Sequence, residues 1–147
     1  MYEGDFVNGK FEGYGKYIFK TDYYYVWKWK DGFRQGKGTL YYQNGNIKYE
    51  DDFDSDEKEG NGKYIFENGY YYIGQWKDCL FHGKETLYNS KGNIKYEGDF
   101  VKGKREGSGK FIWKNSEYYI GQWKNNLLNG KGSLYDSSQI LYMKVIL

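Results

Sequence analysis

The chain repeats itself. Tyr96 to Gly109 reads YEGDFVKGKREGSG, Tyr2 to Gly15 reads YEGDFVNGKFEGYG, and Tyr119 to Gly132 reads YIGQWKNNLLNGKG. Counting the leading Tyr as position zero, units begin at Tyr2, Tyr25, Tyr49, Tyr72, Tyr96 and Tyr119. A partial unit begins at Tyr142, and all the spacings are 23 or 24 residues. A fixed period of this length makes each unit one supersecondary element that buries its apolar side only by stacking on its neighbours. Residues 1–147 therefore read as one array.

The element is a β-hairpin. Side chains alternate across a strand, so Tyr2, Gly4 and Phe6 share one face while Glu3 and Asp5 point to the other. Val7-Asn8-Gly9-Lys10 is turn chemistry, with a Gly free to take positive φ. The return strand puts Gly13, Gly15, Tyr17 and Phe19 on one face. A helix is a poor alternative, because each unit holds several Gly and each costs about 1 kcal/mol in a helix interior. Between units stand Asn44-Gly45, Asn68-Gly69 and Lys91-Gly92, with Thr21-Asp22 and Asn115-Ser116 in the same place. Asn-Gly is a strong hairpin signal. The units then join as a continuous antiparallel meander of twelve strands, about 55–60 Å long at roughly 4.8 Å per strand.

Composition says how such a ribbon holds together. Aromatic residues make up 22% of the chain, with 21 Gly and no Pro, and the mean hydropathy is −0.97. Tyr supplies most of the apolar area and keeps one wet end, which suits a thin sheet without a deep core. Gly13, Gly36, Gly60, Gly83, Gly107 and Gly130 hold one site in all six units, and Gly15, Gly38, Gly62, Gly109 and Gly132 follow two residues later in five. These glycines are expected to leave gaps over which neighbouring rings lie flat. The aromatic four residues after the leading Tyr alternates: Phe6, Trp29, Phe53, Trp76, Phe100, Trp123. The full period is thus 47 residues. On the second face Glu3, Glu50 and Glu97 match Lys16, Lys63 and Lys110, an arrangement that predicts weak cross-strand ion pairs. Trp27 and Asp51 replace the early Gly, Glu85 replaces the second Gly of its pair, and Cys79 replaces a turn Gly. The pattern fades from Ile140 onward, with Lys144 in a Gly place and Ile146 in an aromatic place, and the run reads as a closing strand.

The pattern Y-x-G-x-[W/F]-x-x-G-x-x-x-G-x-G, in six copies from Tyr2 to Leu141, resembles the MORN (membrane occupation and recognition nexus) repeat. The resemblance implies an all-β fold, an elongated single-layer twisted antiparallel sheet of about six hairpins. It also implies a non-catalytic scaffold or interaction module of the kind found in cytoskeletal, ciliary and junction-associated proteins, or beside the catalytic domain of a larger enzyme. Some such repeats are linked to acidic phospholipids.

The residues alone exclude other classes. Net charge is +2 from 22 basic and 20 acidic residues, so no global field points to nucleic acid. One cysteine, Cys79, leaves no disulfide framework or cysteine-rich metal cluster. His82 and Cys79 sit in or beside a turn without partner motifs. Gly36-Lys37-Gly38-Thr39 lacks the order and the helix of a phosphate loop. Asp52, Asp54 and Asp56 begin a calcium-loop spacing that Glu57 and Lys63 break. No enzyme activity, cofactor or metal is expected. The expected partner surface is the aromatic row: Tyr2, Phe6, Tyr25, Trp29, Tyr49, Phe53, Tyr72, Trp76, Tyr96, Phe100, Tyr119 and Trp123. Its occupant is expected to be a peptide or helix, or a second copy of the chain at an open strand edge. Lys102, Lys104 and Arg105 form a basic turn suited to acidic lipid, and stacking of sugars on the rings is a weaker alternative. The lack of a secretory pattern and of a long apolar run points to a cytoplasmic protein, associated with cytoskeleton or membrane.

Overall fold

The computed structural model describes residues 1–21 and 23–146, with Tyr142, Val145 and Ile146 described by their backbone only. Asp22 of the first inter-unit turn and the side chains that open the seventh unit thus lie outside the described residues. The strands are β1 (Tyr2–Val7), β2 (Lys10–Ile18), β3 (Tyr24–Lys30), β4 (Phe33–Tyr41), β5 (Ile47–Asp54), β6 (Glu57–Ile65), β7 (Tyr71–Lys77), β8 (Leu80–Tyr88), β9 (Ile94–Val101), β10 (Lys104–Ile112), β11 (Tyr118–Lys124), β12 (Leu127–Tyr135) and β13 (Leu141–Ile146). They form one open sheet in sequence order, each antiparallel to the next. The closing strand is real and makes thirteen strands where the repeat count gives twelve.

The two long edges of the ribbon carry different turns. Within each unit the loop has two residues, both at positive φ, as at Asn8-Gly9, Asp31-Gly32 and Asn125-Asn126. This is the type I′ geometry whose twist matches that of paired strands. Ser55-Asp56 and Asp78-Cys79 take the same conformation without a glycine. Between units the loop has three residues. The N–H of Tyr42 donates to the carbonyl of Asn46, and that of Gly45 donates to Tyr42. Gly45, Gly69 and Gly92 take positive φ there, and Asn44 and Asn68 do not. These are type I turns closed by a left-handed residue. The asparagine instead folds its side chain over the turn, with Asn44 Oδ1 accepting the N–H of Asn46 at 2.9 Å.

The paired glycines have two separate jobs. At Gly38, Gly62, Gly109 and Gly132 an added Cβ would overlap the ring of the unit's own leading Tyr. There the glycine is a floor, as expected. Gly13, Gly36, Gly60, Gly83, Gly107 and Gly130 instead take φ between +62° and +88°. No Tyr ring lies against them, and their neighbours, where any are close, are side chains such as Asp5, Asp52 and Asp99. They mark the bulge where the pairing register of each hairpin shifts, and β-bulges of this kind favour glycine at a left-handed position. Backbone conformation, not ring space, fixes that site.

The same rule explains two of the departures. A side chain at position 27 or 51 has no room beneath the leading Tyr. Trp27 and Asp51 adopt φ of +148° and +122°. Trp27 then packs on Tyr14, centroids 5.4 Å apart, and Asp51 pairs with Lys37.

Candidate functional site

Ten of the twelve rings expected to form the partner surface are interior. Tyr25, Tyr49, Tyr72, Tyr96 and Tyr119 are fully buried, and Trp29, Phe53, Trp76, Phe100 and Trp123 nearly so. Tyr25, Tyr49, Tyr96 and Tyr119 lie over their glycine floors, and Tyr25, Tyr49, Tyr72 and Tyr96 each meet the aromatic of their own unit and of the next edge-on. Tyr25 stands 5.2 Å from Trp29 and 5.0 Å from Phe53, and Tyr49 stands 5.1 Å from both Phe53 and Trp76. The Tyr hydroxyls donate to the carbonyl three residues on, as Tyr72 does to Gln75 at 2.8 Å. Trp29, Trp76 and Trp123 donate their indole N–H to the carbonyls of Gly15, Gly62 and Gly109. Trp in even units therefore bonds each hairpin to the one before it. In the first unit Phe6 is 58% exposed and Tyr2 half-buried.

The rings are closed from above by one further position of the unit. Nine residues after each leading Tyr stand Phe11, Arg34, Lys58, Phe81, Arg105 and Leu128. Phe11 stacks on Tyr2 at 4.0 Å and Phe81 on Tyr72 at 3.9 Å. Arg34 lies over Phe53 at 5.0 Å, Lys58 over Trp76 at 4.8 Å, and Arg105 over Trp123 at 4.4 Å. A cation over a ring face is attracted by its quadrupole. Burial pushes the Tyr25 and Tyr96 hydroxyls up to about 12, partly opposed by the guanidinium above each. Burial pushes the Lys58 ammonium down to about 8, with Lys48 and Arg34 also lowering it. The signal was available: this position carries only long side chains.

The basic turn loses a member by the same geometry. Arg105 is folded over the rings and donates to the carbonyl of Asn126 at 3.1 Å, while Lys104 reaches Asn125 at 3.2 Å. Lys102 stays exposed. The banded ion pairs also resolve differently. Glu3, Glu50 and Glu97 are in register with Lys16, Lys63 and Lys110. The three ammoniums lie instead over Tyr24, Tyr71 and Tyr118, at 4.3 to 5.0 Å. Those tyrosines stack flat on Tyr41, Tyr88 and Tyr135, each pair 4.7 Å apart.

The ring surface left open lies one row outward, along the inter-unit turns. Phe19, Tyr23, Phe66, Tyr70 and Trp113 are there, half-buried or exposed. A cleft of about 700 Å³ opens in this row between Tyr70, Leu87, Lys95, Phe111, Trp113 and Leu134. Glu85, on the floor of the fourth unit, is buried, lies against Gly74 and accepts the N–H of Gln75 at 2.7 Å. Burial pushes its carboxyl up.

A protein-family model of the MORN repeat matches residues 2–22, 28–47, 52–69, 72–84, 96–118 and 119–139. The chain belongs to the MORN repeat family. The MORN matches resume just after Trp27 and Asp51 and stop just before Glu85. Three of their four internal breaks contain a place where a side chain replaces a floor glycine, and the fourth, 70–71, does not. A comparison with curated proteins gives no match.

Proposed function

We propose that this MORN array is a non-catalytic interaction scaffold. Its partner is an extended peptide or helix lying along the aromatic face. The observation that supports this is the half-exposed row from Phe19 to Trp113, which borders the buried core and is uncovered among the described residues. Open aromatic strips of this kind are uncommon on monomers and mark binding surfaces. A second copy is the other partner of the same scaffold, paired at β1 or β13, each of which has one edge unpaired among the described residues that can template another chain. Selection of displayed peptides on the immobilised chain tests the first part. Selected peptides are expected to lose at least about tenfold in affinity, about 1.4 kcal/mol, with Phe66→Ala or Trp113→Ala at unchanged melting temperature. Equal binding to both variants counts against the strip. Light scattering across concentration reads the second part.

A second reading is peripheral binding to acidic phospholipid, favoured by the tips of the hairpins. Five of the six present one Lys and one exposed apolar side chain: Val7/Lys10, Lys30/Phe33, Lys77/Leu80, Val101/Lys104 and Lys124/Leu127. The third presents Asp54 and Glu57. Apolar insertion beside lysines is the chemistry of an interfacial contact. No helix of the described residues is long and apolar enough to cross a membrane. Flotation with phosphatidylserine vesicles at low salt tests this reading, and Leu80→Asp with Val101→Asp is expected to abolish it.

A further inference from the structure

The 47-residue period places two versions of one site side by side. In the first, Tyr42 is 8% exposed and fills the space beside Tyr23, Lys48, Tyr64 and Phe66. Its hydroxyl donates to the carbonyl of Ile65 at 2.8 Å. Its ring stands 5.8 Å from Tyr23, and the Lys48 ammonium lies 3.5 Å from the Tyr23 centroid and 5.1 Å from that of Tyr42. The cleft left there is about 390 Å³.

Forty-seven residues on, the walls are kept and the filling is not. Tyr70, Lys95, Phe111 and Trp113 stand for Tyr23, Lys48, Tyr64 and Phe66, and Asn89 stands for Tyr42. Asn89 does not enter the space. Its Oδ1 accepts the N–H groups of Lys91 and Asn93, both at 3.0 Å, so the side chain belongs to its own turn. The cleft grows to about 700 Å³, with Leu87 and Leu134 added to its apolar wall. Ile112 holds the place of Ile65. Lys95 and Lys114 face the cleft with Glu117 as the one carboxylate among its lining residues. Burial and the neighbouring Lys114 both push the Lys95 ammonium down, so an anion brought there is favoured.

We infer that this cleft is a vacant tyrosine site, filled in trans by a partner's Tyr side chain with an acidic residue beside it. The guest ring lies as Tyr42 does, under Lys95, with its hydroxyl directed to the carbonyl of Ile112. The acidic neighbour meets Lys95 and Lys114. The inference rests on the scaffold reading for its partner, while the cleft itself is tested without one.

The probe is p-cresol, the isolated tyrosine side chain, followed by methyl and indole NMR. Saturable shifts are expected at Leu87, Trp113 and Leu134. They are expected to vanish in Asn89→Tyr/Lys91→Asn, which copies the first turn and supplies the ring in cis. Tyr42→Ala is expected to open a second site, read at Leu40. A peptide with Asp-Tyr-Asp is expected to bind at least about tenfold tighter than one with Asp-Ala-Asp, about 1.4 kcal/mol. Cresol shifts that persist unchanged in the filled variant, or that appear only on the far face at Trp27, overturn the inference. If cresol misses the cleft while display-selected peptides still bind the strip, the vacancy is refuted and the scaffold reading stands. If cresol binds and is blocked while no peptide is ever selected, the site holds and the scaffold reading fails.

Discussion

Tyr24 and Tyr25 are adjacent in the chain and live on opposite faces of the sheet. Tyr25 is fully buried over Gly38 and lidded by Arg34, whereas Tyr24 is half-exposed and stacks flat on Tyr41. Residue type does not separate them. What separates them is the floor: one face has glycines where the ring lies down, and the other has Val26, Thr39 and Glu50 in register across neighbouring strands. A single-layer sheet has no second layer to bury its apolar side. This one makes a core from rings lying along its own backbone, and it does so on one face only.

The comparison breaks most visibly at the rings themselves. Tyr25→Ala is expected to cost about 3–5 kcal/mol, as for other buried aromatics, and Tyr24→Ala about 1 kcal/mol or less, the worth of an exposed aromatic pair. Urea melts of the two variants check the ratio. Next in size is the floor. Gly38→Ala drives a methyl into the Tyr25 ring and is expected to cost about 1–3 kcal/mol by overpacking, again read in urea.

The lid gives a smaller effect with a pH signature. Lys58 is pushed down to about 8 from 10.5, so between those values the unfolded chain binds the extra proton and stability rises with pH. Lys58→Leu, which copies Leu128, is expected to remove that rise and to stabilise by about 1 kcal/mol at pH 7, after loss of the cation–ring contact. Smallest is the acid on the floor. Burial raises the Glu85 carboxyl above 4.5. The native state then holds its proton longer, and this contribution is complete below 4.5 and lost as pH rises through the raised value. Glu85→Gln is expected to flatten that slope in melts between acid and neutral pH.

Much of this was legible in the chain. Period, hairpin, meander, glycine floor and closing strand all follow from which residues recur at which spacing. The rest was hidden for physical reasons. Gly36 and Gly38 look alike in sequence, yet one serves a backbone dihedral and the other an absent side chain. Trp and Phe alternate visibly, but the indole bond across the unit boundary appears only in three dimensions. The buried row is the expected partner surface when one unit is taken alone, and only the six units together show a long side chain always standing nine positions on, where it folds back over the rings. The open row carries a weaker signal. Seventeen residues after the leading Tyr stand Phe19, Tyr42, Phe66, Asn89, Trp113 and Asp136, and the break at Asn89 marks the vacant cleft.

The most direct test sets two tryptophans of the same face against each other. Trp76 is 4% exposed and Trp113 is 36% exposed. Equilibrium unfolding of Trp76→Ala and Trp113→Ala in parallel is predicted to show a loss of about 3–5 kcal/mol for the first and under about 1 kcal/mol for the second. Equal losses, or a Trp76→Ala variant as stable as the parent chain, would contradict the division of this face into a ring core and an open strip.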